Sequence, residues 1–168
     1  MTVYTTIDSP LGQLLLVGEP AGNEAGTGVV LTSLSVRGGK GPVVRDEWTE
    51  DPRAFAAVIA QLRDYFVGGR TEFEIESTGG GSEFQRRVWA ALEEIPYGAT
   101  ATYGEIAARI GASRAAVRAV GTAIGANPLL IVRPCHRVIG ADGSLTGYAG
   151  GVESKQRLLE LERARRVA

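Results

Sequence analysis

The chain has one cysteine and one histidine, and they are neighbours, in the string Arg133-Pro134-Cys135-His136-Arg137-Val138. A free thiol titrates near pH ~8.5, so only about a few per cent is thiolate at neutrality. Flanking arginines favour the thiolate, and a nearby imidazole can take its proton. That is the local chemistry of a nucleophilic cysteine. Consecutive side chains in extended backbone point to opposite faces, so either the chain turns at Pro134 or a water carries the proton from Cys135 to His136. The competing reading is a small buried hydrophobe beside a structural histidine, the commoner state of a lone intracellular cysteine. One thiol cannot form an internal disulfide, and one Cys with one His argues against structural zinc, so no metal is expected.

The composition, 44% hydrophobic and 22% charged over 168 residues, excludes a disordered or fibrous chain. No apolar run approaches the roughly 18 to 20 residues of a membrane span. The first residues lack a basic segment followed by an apolar core, so no secretory signal is read, and a cytoplasmic protein with a reduced thiol is expected. The net charge of −1 conceals an asymmetry. Residues 1–81 carry 6 basic against 11 acidic side chains, a net of −5, and residues 82–168 carry 12 against 8, a net of +4. From Ile106 to Ala141 there are five arginines (Arg109, Arg114, Arg118, Arg133, Arg137) and no acid. A polyanion is a natural partner for such a stretch, and a solvated arginine face is the bland alternative.

These residues need elements to position them. Thr2–Ile7, Gln13–Val17 and Val29–Val36 read as strands, joined by loops at Gly18–Gly28 and Gly38–Pro42. A helix is predicted over Pro52–Val67, with Phe55, Val58, Ile59, Leu62 and Phe66 on its apolar face. Phe73 and Ile75 alternate with Glu72, Glu74 and Glu76 as in a half-buried strand, and Ser77–Gly81 reads as a linker. Two capping boxes follow, Ser82-Glu83-Phe84-Gln85 and Thr102-Tyr103-Gly104-Glu105. The first opens a helix that ends before Pro96 and the second opens Tyr103–Ile110. After a Gly111-Ala112 turn, Ser113 is expected to cap a third helix, Arg114–Gly125. Two short helices around a turn of this kind form a helix-turn-helix signature. On the second helix Val117, Val120 and Ile124 face the core, and Arg114, Arg118 and Gly121 share the other side. Its small residues would let another surface approach closely.

The string Pro134-Cys135-His136-Arg137-Val138, with Asn127-Pro128 before it and Gly147-Tyr148-Ala149-Gly150-Gly151 after it, resembles the methylated-DNA–protein-cysteine methyltransferases, the 6-O-alkylguanine-DNA alkyltransferase family. The likeness covers at least residues 82–162, through Phe84–Trp89, Ile95–Gly98, Thr102–Ala107 and Arg118–Gly121. It extends more loosely to Leu62–Gly68 and Ile7–Gly12.

The resemblance implies an α/β N-terminal domain with a ribonuclease-H-like β-sheet, about 1–78, packed on a mainly helical C-terminal domain, about 82–168. It also implies transfer of an alkyl group from 6-O-alkylguanine, and from 4-O-alkylthymine, in double-stranded DNA to Cys135, once per molecule. The protein would be a monomer without cofactor, binding the minor groove and flipping the damaged base. Cys135 is then the acceptor, His136 its base through a water, and Glu162 the carboxylate that orients His136. Arg118 fills the gap left by the base, Tyr103 assists rotation of the nucleotide, and Asn127 is a hinge between recognition helix and active-site turn. Val138, Tyr148 and Ala149 border the base, and Arg114, Gly121 and Arg137 belong to the DNA-contacting set.

Two positions depart from the pattern. Arg133 stands where an aliphatic residue is usual, and Ala149 where some relatives have Ser. The rival readings are a lesion sensor without transfer, a helix-turn-helix regulator and a thiol hydrolase. The presence of Cys135 counts against the sensor, and the regulator leaves the Pro-Cys-His-Arg string unexplained. A hydrolase predicts turnover of a small ester or peptide, whereas the arginine-rich, small-residue helix points to a polyanion.

Overall fold

The computed structural model of the protein describes residues 1–21, 28–78 and 80–167. The middle of the predicted Gly18–Gly28 loop, residues 22–27, and Gly79 of the predicted linker lie outside the described residues. The chain separates into two compact units, 1–79 and 80–168.

In the first unit, β1 (Val3–Ser9), β2 (Gly12–Pro20) and β3 (Val29–Val36) form an antiparallel meander, and β4 (Thr49–Glu50) adds in parallel to β1. The order across the sheet is β3-β2-β1-β4. β2 runs three residues further than its alternation suggests, because a register shift at Val17/Gly18 lets it stay paired with β3. Gly18 permits this: a Cβ there would lie 2.6 Å from both the Val29 side chain and the Val30 carbonyl oxygen. The predicted helix begins as a 3-10 turn, Pro52–Phe55, capped by Asp51, and continues as α1 (Ala56–Phe66). Phe55, Val58 and Leu62 bury its inner face with Leu14, Leu16, Leu31 and Leu34 from the sheet.

The strand expected around Phe73 and Ile75 does not form. Only an isolated bridge joins Leu31 to Ser77. The Gln61 side chain accepts from the Glu74 amide at 2.8 Å and donates to its carbonyl at 2.9 Å, taking over the backbone groups a ladder would have used.

The second unit is mainly helical: α2 (Glu83–Glu93), α3 (Tyr103–Arg109), α4 (Val117–Gly125) and α5 (Val152–Val167). Both predicted capping boxes are formed, Ser82 with Gln85 and Thr102 with Glu105. Gly111, at φ +71°, makes the turn after α3. The third predicted helix differs at its start. Ser113 makes no side-chain cap, and Arg114–Ala116 is a 3-10 turn leading into α4. Trp89 of α2 donates its indole N–H to the Ala123 carbonyl of α4 at 2.8 Å, tying the two helices together in the core. β5 (Ala101–Thr102) and β6 (Val138–Ile139) pair in parallel. β5 runs directly into Tyr103, and β6 directly follows the turn that holds Cys135, so this two-residue ladder brings the two segments side by side.

Candidate active site

Pro134 turns the backbone (φ −80°, ψ 58°), and Cys135–Arg137 form a single 3-10 turn. The Arg137 amide donates to the Pro134 carbonyl at 3.0 Å, and the Cys135 amide to the Arg133 carbonyl at 2.8 Å. The extended geometry that would separate the Cys135 and His136 side chains is therefore absent. Both side chains are buried.

His136 Nε2 lies 2.8 Å from Glu162 Oε2 of α5, with both groups essentially inaccessible to solvent. Nδ1 is also buried and has no hydrogen-bond partner among the described residues. A carboxylate at Nε2 fixes the proton on that nitrogen and leaves Nδ1 as a lone-pair acceptor, the state a base requires. The same carboxylate accepts from Arg137, Nε to Oε1 at 2.8 Å and Nη2 to Oε2 at 3.1 Å, while Arg137 Nη1 donates to the Ile95 carbonyl at 2.7 Å.

Burial pushes Glu162 up, but hydrogen bonds and charge from His136 and Arg137 outweigh it and bring the carboxyl down to about 2. Burial holds His136 below its ordinary value, against the pull of Glu162. Burial also pushes the Cys135 thiol up to about 11, opposed by the Asn127 side chain, Lys155 and Arg133. Arg133 does favour the thiolate, but desolvation outweighs it and holds the thiol protonated, so its proton must leave in the course of reaction.

Asn127 organises the turn before Cys135. Its Oδ1 accepts from the Leu129 amide at 3.0 Å, and its Nδ2 donates to the carbonyls of Leu129 and Arg133 at 3.3 and 3.2 Å. Within this turn Ile131 has φ +71°, a conformation that costs a β-branched residue about 1–3 kcal/mol. The turn holds it there through the Arg133 amide bond to the Leu129 carbonyl at 3.0 Å and the burial of its side chain.

The Tyr103 hydroxyl is 2.7 Å from Thr146 Oγ1, and Lys155 Nζ donates to the Thr146 carbonyl at 3.2 Å. The Gly-rich segment 147–151 therefore leaves a point anchored from α3 and from α5. Tyr148 has a deeply buried hydroxyl, and burial raises its pKa well above the ordinary value. Ala149 is half-buried. Val138 is wholly buried in β6. Lys155 was not anticipated from the sequence. It lies on the same face of α5 as Glu162, about two turns away, and both are buried with Leu158 between them.

The arginine stretch divides in two. Arg109, Arg114 and Arg118 are exposed on the α3–α4 segment. Arg137 and Arg133 are turned inward, so the placement of Arg137 among DNA contacts is corrected: its guanidinium is engaged by Glu162, Ile95 and the Tyr97 ring. Gly121 faces the Tyr103 ring, and a Cβ there would sit 3.7 Å from it, an ordinary contact. Among the described residues, no three His, Cys, Asp or Glu side chains are grouped to hold a metal ion, and no helix is long and apolar enough to cross a membrane.

Comparison with known proteins matches this arrangement to a family along nearly the whole chain. Residues 83–164 match the DNA-binding domain of 6-O-methylguanine DNA methyltransferase, and residues 2–77 match its ribonuclease-like domain. The chain belongs to the methylated-DNA–protein-cysteine methyltransferase family. It is 56% identical over 163 residues to the methylated-DNA–protein-cysteine methyltransferase of Mycolicibacterium paratuberculosis, covering 97% of this chain and 93% of the relative. It is 52% identical over 168 residues to that of Mycobacterium tuberculosis, covering 100% and 96%. The crystal structure of Mycobacterium tuberculosis OGT in complex with DNA superposes with a TM-score of 0.86 at 51% identity, covering 97% of this chain and 94% of that one. The first unit is thus the ribonuclease-like domain of a methyltransferase of this family, and the second its DNA-binding domain, which contains Cys135.

Proposed function

We propose that this chain repairs alkylated DNA by direct reversal, moving the alkyl group of 6-O-alkylguanine, and of 4-O-alkylthymine, onto Cys135. The observation that carries this reading is the buried relay at the only cysteine: Glu162 on His136 Nε2, and Nδ1 left as an acceptor. A thiol at about 11 needs such a base at the moment of attack. His136 draws off the thiol proton through a water. The sulfur–carbon bond forms as the bond from that carbon to O6 breaks. The electron pair passes to the guanine, which takes up a proton and is restored. The thioether is not reversed, so each molecule acts once.

Double-stranded DNA meets the exposed Arg114 and Arg118, with α4 in the minor groove, where Gly121 allows close approach. The target base leaves the stack at a cost of a few kcal/mol, and the planar guanidinium of Arg118 fills the vacancy. Tyr103 and the 147–151 segment border the extruded base. The protein acts as a monomer in the cytoplasm, where a lone thiol stays reduced.

The test counts lesions. A duplex carrying 6-O-methylguanine is mixed with limiting protein, and the restored guanine is measured at completion. One guanine restored per protein molecule is expected, and none with Cys135→Ser. Repeated turnover, or no repair, refutes the reading.

A further inference from the structure

Arg133 is turned inward, and its side chain keeps 11% of its surface exposed. Its guanidinium lies 4.8 Å from the centre of the Trp89 ring, with Nε 3.4 Å from Glu93 Oε1 and Nη1 3.3 Å from Asn127 Oδ1. The backbone carbonyl of the same residue accepts from Asn127 Nδ2 at 3.2 Å. Arg133 therefore holds both ends of one amide. A flipped Asn127 would set its NH2 against the guanidinium and its oxygen against two carbonyls, so only one orientation survives. In that orientation Nδ2, the donor end, bonds the Arg133 carbonyl that also accepts from the Cys135 amide, and the Asn127 side chain bonds the thiol.

We infer that Arg133 is a positioning residue for Cys135, fixing the Asn127 amide as a donor toward the sulfur and adding a positive charge whose strength the exposed Glu93 sets. Other groups face the thiol too. Lys155 approaches from α5, Tyr148 from the Gly-rich segment, and His136 with Glu162 and Arg137 from the thiol's own turn and α5. The Arg133 side chain is held by Trp89, Glu93 and Asn127, so substitution there and at Glu93 separates its contribution from theirs. The support is rigid: Trp89, on which the guanidinium stacks, is itself pinned to Ala123 of α4. Arginine suits the place because a planar cation can stack and donate in its own plane at once, which lysine cannot.

The consequence for DNA repair rests on the alkyl-transfer reading, but the positioning role is measurable without DNA. Iodoacetamide alkylates a thiolate: the S–C bond forms, the C–I bond breaks and iodide leaves. Because the chain has one cysteine, the rate reports Cys135 alone. We would record that rate from pH 7 to 10 for the full chain and for Arg133→Met, Arg133→Lys and Glu93→Gln, with melting temperatures alongside.

Arg133→Met should move the curve to higher pH and lower the rate at pH 8 roughly three- to tenfold, by loss of a nearby positive charge and of the amide clamp. Arg133→Lys should fall between Met and the parent. Glu93→Gln should move the curve the other way and raise the rate up to about threefold, since it leaves the guanidinium charge less compensated. A purely structural role would lower melting temperatures without opposite displacements. If the Met and Gln curves coincide with the parent's, or move in the same direction, the inference fails. Should Arg133→Met not fold, the sign of the Glu93→Gln displacement decides. If the curves move as stated while no protein takes a methyl group from DNA, the alkyl-transfer reading fails and the positioning role stands.

Discussion

Glu162 accepts a hydrogen bond from His136 on one oxygen and from Arg137 on both, so the carboxylate that orients the imidazole is itself held by the next residue in the chain. All three side chains are buried. Chemistry and fold stability therefore depend on the same contacts.

Arg137→Ala leaves Glu162 as a buried carboxylate short of a partner. Breaking such a pair from one side costs about 3–5 kcal/mol. Urea unfolding should show a loss of that size, and the salt dependence of DNA binding by the folded fraction should be unchanged. A stable variant with altered salt dependence would return Arg137 to the DNA-contacting set.

Arg118→Ala should behave in the opposite way. The side chain is exposed and makes no internal ion pair with an acid among the described residues, so stability should stay within about 0.5 kcal/mol. Binding to duplex DNA should weaken, and the slope of log affinity against log salt should fall by about one if the contact is to phosphate. Repair of a base flipped beforehand, as in a single strand, should suffer less than repair in a duplex.

Stability should fall with acid in two stages. His136 is held below 6.5 by burial, so it stays neutral in the fold while the unfolded chain protonates. Its contribution is complete above pH 6.5 and is lost as the pH falls below that. Glu162 stands at about 2 against an ordinary 4.5, so its contribution is present above 4.5 and is lost as the pH falls toward 2. That second stage is on the order of 3 kcal/mol. Melting temperatures measured from pH 8 to 3 should decline below 6.5 and more steeply below 4.5. A flat curve between 7 and 4 would contradict this.

Gly121→Ala separates fold from function. The new methyl meets only the Tyr103 ring, at an ordinary 3.7 Å, and a helical glycine replaced by alanine gains about 0.5–1 kcal/mol. The melting temperature should rise while affinity for duplex DNA falls, if Gly121 stands on the face proposed to meet DNA. An unchanged affinity would remove Gly121 from the interface.

Much of this was legible in the sequence where the signal was local. The capping boxes at Ser82 and Thr102 placed α2 and α3, and alternation placed the three long strands. The segment around Phe73 kept its alternation of burial without becoming a strand, because Gln61, distant in sequence, took its backbone groups. Charge counting treated five arginines alike, and only burial separated Arg133 and Arg137 from the exposed three. On α5 the buried stripe itself carries charge, Lys155 and Glu162 flanking Leu158. An apolar-periodicity reading passes over such a stripe. The spacing of three and four residues was present, but only the thiol's surroundings give it meaning.

The central claim is that one alkyl group ends on one named sulfur. Peptide mass spectrometry after incubation with a duplex containing a single 6-O-methylguanine tests it most directly, with unmodified duplex as the control. The account predicts a gain of one methylene per molecule, confined to the peptide that carries Cys135, and no gain with the control. Lesion binding without any change of mass, or a methyl group on another residue, would contradict it.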